Sequence, residues 1–270
     1  MAAPRLALAP LWALLLLLAA AHALPSPEGR ILGGEDATAT EYPWTASLRH
    51  NKAHTCMAVI ISNTQLLTAA HCVSELGTTP VAASSLGVRV GSINQYAGGQ
   101  IVNVRSVLIH PSYGNFLHDL AIVTLSEPLV YTERIAAAKL PSKVEEAGEG
   151  EGEEEVSTEL PHNTPVYVAG WGAVSDGSAP YKLQKANYNT VSAPFCELAA
   201  GYGYASTLCL SSAAKEGICS GDAGAAVIDD DKVLQGITSF HFADCGSSYP
   251  DVASRIYYYL DWIEANTQGA

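Results

Sequence analysis

Basic residues are scarce in this chain: Lys and Arg number 14 against 27 Asp and Glu, a formal charge of −13 over 270 residues. That deficit argues against a nucleic-acid partner, whose phosphates the chain would repel. There is no CxxC pair and no HExxH stretch, so a structural zinc or a zinc peptidase has no support. No Asn-x-Ser/Thr sequon occurs, and N-glycosylation is not expected. Long helical periodicity is nearly absent. Past the first two dozen residues, no apolar run is long enough to span a bilayer.

What is present begins with a leader. Arg5 precedes the uncharged run "LALAPLWALLLLLAAAHA", which ends in Ala21-His22-Ala23. A charged start, an apolar core and a small-x-small end form the layout of a secretory signal peptide, expected over residues 1–23. Pro10 and the short apolar core disfavour a retained anchor, so the expected product is secreted and free of the membrane. The cysteines fit that compartment. Cys56, Cys72, Cys196, Cys209, Cys219 and Cys245 make an even count, which reads as three disulfides, although six cysteines allow 15 pairings. Residues 144–161, "VEEAGEGEGEEEVSTELP", hold eight glutamates and no basic residue. Like charges mixed with glycine cannot bury apolar area, so this stretch is expected to be a solvated loop. It reads first as a tolerated insertion, and second as a docking site for a basic partner or divalent cations.

Many short Val- and Ile-rich runs follow the leader: "MAVIIS", "LGVRVGS", "IVNVRSVLIH", "AIVTLS", "PVYVAGWG" and "VLQGITSF". Gly, Pro, Asn and Ser separate them, the pattern of an all-β sandwich or barrel. The exception is the end, "IYYYLDWIEANTQ", where Tyr259, Trp262 and Ile263 fall on one helical face. The acidic loop divides two strand-rich halves, an arrangement consistent with two packed β-barrels.

Three segments carry chemistry. "LLTAAHC" (Leu66 to Cys72) sets a histidine beside a cysteine, "HDLAIVTL" (His118 to Leu125) sets an aspartate at the head of an apolar strand, and "GICSGDAGAA" (Gly217 to Ala226) is a glycine-rich loop after a cysteine. In that order they resemble the His, Asp and Ser segments of the chymotrypsin-like serine peptidases. "RILGG" at Arg30, "VAGWG" at Val168, "ITSF" at Ile237 and "YPDVASRI" at Tyr249 extend the resemblance over residues 31–270. Within that family the chain looks most similar to non-catalytic insect serine-protease homologues of the spheroide type.

The resemblance implies a fold of two packed six-stranded antiparallel β-barrels with a C-terminal helix. It implies His71 as general base, Asp119 as the carboxylate orienting it, and an oxyanion hole from the N–H groups of Gly221 and Ala223. It also implies the disulfides Cys56–Cys72, Cys196–Cys209 and Cys219–Cys245, which use every cysteine. At the nucleophile's position stands Ala223, whose methyl cannot attack a carbonyl. The neighbours depart as well: the family's "GDSGGP" is "GDAGAA" here, with Ala225 and Ala226 in place of glycine and proline, so an engineered single knock-out is not the expected origin. The specificity pocket would comprise Gly217, Ser239, Phe240, His241 and Asp251, with His241 where the family has a glycine that leaves room for a substrate side chain. A protonated His241 either pairs with Asp251 and plugs the pocket or remains a solvated surface histidine.

The activation switch of the family has both halves here. Cleavage at Arg30–Ile31 would remove a short propeptide, 24–30, and the new ammonium of Ile31 would pair with Asp222. The family's calcium loop corresponds to "GSINQYAGGQ", which has no carboxylate, so calcium is not expected, and neither is any other cofactor. The expected role is that of an inactive homologue serving as cofactor or regulator in an extracellular, innate-immune proteolytic cascade. Its partners would be other secreted proteases or their substrates, and an upstream trypsin-like protease would cut after Arg30. The alternatives are an active endopeptidase, if Ala223 is an artefact, and a passive decoy for inhibitors or substrates.

Overall fold

A computed structural model describes residues 34–143, 160–173, 178–213 and 216–267. The expected signal peptide, the propeptide, Arg30 and Ile31 lie outside the described residues, as do residues 144–159 of the acidic loop.

Six strands close into a first barrel: β2 (Thr45–His50), β3 (Ala53–Ile60), β4 (Gln65–Thr68), β7 (Leu86–Val90), β8 (Gln100–Ile109) and β9 (Ala121–Leu125), in the order β2-β3-β4-β9-β8-β7. A small hairpin, β5 (Ser74–Leu76) with β6 (Thr79–Pro80), projects beside it, and β1 (Glu35–Asp36) leaves the barrel to pair elsewhere. The second barrel contains β10 (Pro165–Gly170), β11 (Gln184–Val191), β12 (Thr207–Ser211), β13 (Ala226–Asp229), β14 (Leu234–Phe240) and β15 (Asp251–Arg255). Their order is β11-β10-β13-β14-β15-β12, pairing of β11 with β12 closes the ring, and β1 adds to the outer edge of β11. Helix α1 (Ala193–Ala200) precedes β12, and helix α2 (Ile256–Thr267) follows β15.

The strands read as continuous apolar runs where both of their faces are covered. In β9 all five residues are buried. Ala121, Val123 and Leu125 point into the first barrel, while Ile122 points outward into a cluster with Leu67, Ile237, Ile256, Tyr259 and Ile263. This outward cluster is the seam between the barrels and α2, and the period-2 alternation of side chains feeds both cores from one strand. A third cluster, around Val166, Val168, Trp171, Tyr188 and Leu210, fills the second barrel. Each such aliphatic side chain contributes roughly 1.5–3 kcal/mol on burial. The seam is what brings loops from both barrels to one cleft.

Candidate functional site

Strand β4 runs into a 3-10 turn, Ala70–Cys72, that carries His71 at the barrel's end. Asp119 stands two residues before β9 and is fully buried. Its Oδ1 accepts the backbone N–H of His71 at 2.8 Å, and its Oδ2 pairs with His71 Nδ1 at 2.8 Å. The second barrel holds the same residue: the Ser239 hydroxyl donates to Oδ2, and the Ser254 hydroxyl donates to the Asp119 carbonyl at 2.9 Å. A carboxylate on Nδ1 fixes the proton there and leaves Nε2 as the basic nitrogen. Among the described residues no hydroxyl lies within hydrogen-bonding distance of Nε2, whose neighbour is the disulfide sulfur of Cys72 at 3.7 Å. The ring of Phe116 meets the His71 ring edge-on, with centroids 5.6 Å apart.

The loop from Gly217 to Ala226 lies between the barrels. The Ala223 carbonyl accepts Met57 N–H at 2.7 Å, and Gly224 N–H donates to Thr238 O at 2.8 Å. A Cβ on Gly224 would sit 2.1 Å from the Met57 carbonyl oxygen, so the loop can approach β3 only with glycine there. Ala223 shares with His71 a cleft of about 490 Å³ that Gly221, Ser239, Phe240 and His241 also line. Among the described residues, the N–H groups of Gly221 and Ala223 have no protein acceptor, which leaves them available to a ligand oxygen. Cys56–Cys72, Cys196–Cys209 and Cys219–Cys245 are disulfide-bonded.

Asp222 is fully buried beneath this loop. One carboxylate oxygen accepts Gly172 N–H at 2.6 Å and the other accepts Cys219 N–H at 3.0 Å. A Cβ on Gly172 would fall 2.1 Å from Asp222 Oδ2, so a glycine is required for the carboxylate to reach this backbone. Burial outweighs both donors and pushes the Asp222 carboxyl up to about 7, with a smaller push from the charge of Asp251.

Of the residues expected in the specificity pocket, Ser239, Phe240 and His241 line the cleft, whereas Gly217 and Asp251 do not; the two lie side by side, a Cβ on Gly217 falling 3.3 Å from Asp251 Oδ2. That oxygen accepts the Tyr188 hydroxyl at 2.9 Å and Ile218 N–H at 3.3 Å. Burial pushes Asp251 up to about 7 despite these bonds. The expected His241–Asp251 plug is not formed: among the described residues no ion pair joins them. Asp251 is already engaged by Tyr188, and His241 turns its Nε2 to the sulfur of Cys245 at 3.7 Å. His241 is half-buried in the wall of the cleft, and among the described residues its buried Nδ1 has no partner. Phe240 joins a row of rings, 5.2 Å from Phe116, 4.8 Å from Tyr202 and 5.2 Å from Phe242.

The loop of residues 91–100 does not fit a divalent cation. Its Gln95, Tyr96 and Gly98 carbonyls accept hydrogen bonds from the guanidinium groups of Arg49 and Arg89, and positive charge there opposes a metal ion.

Sequence reasoning missed several participants. His54 connects Ser47 Oγ, at 2.9 Å from Nδ1, to the Gly221 carbonyl, at 3.2 Å from Nε2. Since a carbonyl can only accept, Nε2 carries the proton and Nδ1 accepts from Ser47. Burial pushes the His54 imidazole down to about 4, so it stays neutral near pH 7. Tyr188 is an inward residue of β11, a strand outside the apolar runs read from the sequence, and its partner Asp251 is 63 positions away. Ser239 was expected in the specificity pocket, and the structure adds its bond to Asp119.

The Trypsin family model matches residues 31–263. The chain belongs to the trypsin family. Trypsin beta of Drosophila erecta is 32% identical, over 90% of this chain and 90% of that protein. The Trypsin of Phaedon cochleariae is 31% identical with the same coverage of both. Transmembrane protease serine 11C of Mus musculus is 32% identical over 88% of this chain, which spans only 54% of that protein. A solved structure of neuropsin, described as a serine protease expressed in the limbic system of mouse brain, superposes with a TM-score of 0.73. It covers 87% of this chain and 99% of its own at 24% identity, a likeness of fold. The cleft of this trypsin-family chain thus presents the paired His71 and Asp119, free N–H groups and a methyl at Ala223.

Proposed function

We propose that this chain is a secreted, catalytically silent member of the trypsin family that regulates other proteases in an extracellular, innate-immune cascade. The observation that carries the reading is Ala223, in the loop where the family has its serine and in the same cleft as His71. His71 Nε2 has a disulfide sulfur for a neighbour and, among the described residues, no hydroxyl to deprotonate. Without a nucleophile no acyl intermediate forms. For hydrolases built on such a triad, losing the serine lowers turnover on the order of 10⁶-fold, roughly 8 kcal/mol of transition-state stabilisation.

Regulation runs through the N-terminus. An upstream trypsin-like protease cuts Arg30–Ile31, and the Ile31 ammonium pairs with Asp222. A fully buried carboxyl held near 7 by burial is a group that an incoming ammonium would stabilise in its charged form, which supports this switch. The partners are other secreted proteases or their substrates, met on the surface that maturation orders.

The test is fluorophosphonate labelling and peptide cleavage by protein matured to begin at Ile31, beside an Ala223→Ser variant. Native protein that stays inert while the variant labels supports a silent but assembled site. Labelling or cleavage by the native form overturns the proposal and makes the chain an endopeptidase, a reading that the intact His71–Asp119 pair keeps physically coherent.

A further inference from the structure

A second concavity, of about 180 Å³, shares no residue with the cleft. It lies where the lead-in to β2 meets β10 and the turn between β13 and β14, and its walls include Glu41, Tyr42, Trp44, Tyr167, Asp229 and Asp230. Tyr42 and Trp44 stand edge to face with centroids 6.1 Å apart. The Tyr167 hydroxyl donates to Asp230 Oδ1 at 2.6 Å, which orients that carboxylate and leaves its other oxygen without a donor among the described residues. The remaining acids are engaged: Glu41 pairs with Lys185 at 2.6 Å, and Asp229 caps its own turn through Val233 N–H and Gln235. Lys232 also lines the pocket and makes no ion pair among the described residues.

We propose that this pocket binds a primary alkylammonium, the head of a lysine side chain on a partner protein. Three aromatic side chains present π-electron density and apolar surface to the methylene stem, while the open oxygen of Asp230 receives the charge. The pocket is small, and a four-carbon ammonium chain suits it better than a large organic ligand. Burial chiefly, and then Glu41 and Tyr167, raise the ionisation of the Tyr42 phenol well above the usual range, so it meets the ligand as a neutral ring. Lys232 is the competing charge, and its removal should strengthen binding rather than weaken it. The inference stands apart from the silent-protease reading, since an active endopeptidase could carry the same pocket.

The test uses the full mature protein and N-acetyl-lysine-methylamide as probe, read from the indole N–H resonance of Trp44. A saturable shift is expected that the norleucine analogue, which lacks the ammonium, does not produce. Asp230→Asn should raise the dissociation constant about tenfold, while Lys232→Gln lowers it. Both residues are exposed on a turn, so neither variant threatens the fold. No saturable shift, an equal shift from the norleucine analogue, or variants that both leave the constant unchanged would overturn the proposal. Binding of the free probe without any lysine-dependent capture of a basic peptide would point to small amines as ligands and overturn the assignment to a protein partner.

Discussion

Asp251 and Asp222 are two buried carboxyls close enough for the charge of one to raise the other, and each is held near 7 chiefly by burial. A raised folded value means that the native state keeps its proton after the unfolded chain has lost it. Their contribution to stability is therefore full below about pH 4 and is lost as pH rises through about 7. His54 and His110 oppose this: burial lowers both to about 4, so their contribution is present above the usual histidine value and lost as pH falls. Asp251→Asn isolates one term. The difference in urea midpoint between wild type and variant should drift against the wild type between about pH 4 and pH 7 and level off above. A difference that is flat across that window would show Asp251 to be ionised at low pH and the assignment wrong. The residue scale also explains why the proposed plug fails. Tyr188 reaches Asp251 first, and a carboxyl that retains its proton near neutrality offers His241 little charge.

At the scale of elements, the loop between Cys219 and β13 is held by one side chain of β14. The Thr238 hydroxyl donates to the Asp222 carbonyl at 2.6 Å and accepts Ala225 N–H at 2.8 Å, and Thr238 is fully buried. Thr238→Val keeps the shape but leaves the Asp222 carbonyl and the Ala225 N–H only their longer 3.1 Å bond to each other. It should cost about 1–3 kcal/mol in urea unfolding, and in the Ala223→Ser background it should slow fluorophosphonate labelling. A loss below about 0.5 kcal/mol would mean that this remaining bond is enough to hold the loop. Six strands were legible as apolar runs; among them "AIVTLS", "LGVRVGS" and "PVYVAGWG" became β9, β7 and β10. Helix α2 was legible from Tyr259 and Ile263, which are buried as one face. Helix α1 was not, because eight residues with a single buried side chain, Cys196, give too little periodicity; its signals are Ser192 at the N-cap and a proline in the first turn.

The whole molecule depends on the seam. Asp119 pairs with His71 within the first barrel and takes Ser239 and Ser254 from the second, so its full set of hydrogen bonds exists only when the barrels are docked. The seam cluster draws residues from β3, β4, β9, β14 and α2, which should couple the two barrels energetically. Calorimetric unfolding of the mature protein is expected to show one transition, with calorimetric and van't Hoff enthalpies in agreement. Two resolved transitions would mean that the barrels unfold independently despite the shared cluster.

The amino-acid order by itself determined the class of fold, through the spacing of apolar runs, and it determined the missing hydroxyl, because an alanine has none wherever it lies. It also located His71 and Asp119, since their local contexts are distinctive. Only the tertiary structure decided which polar groups meet. His54 with Gly221, Tyr188 with Asp251, Ser239 with Asp119 and Tyr167 with Asp230 are separated by 167, 63, 120 and 63 positions. Hydrogen bonds require contact within about 3 Å, and no local pattern encodes which distant strands will bring two side chains that close.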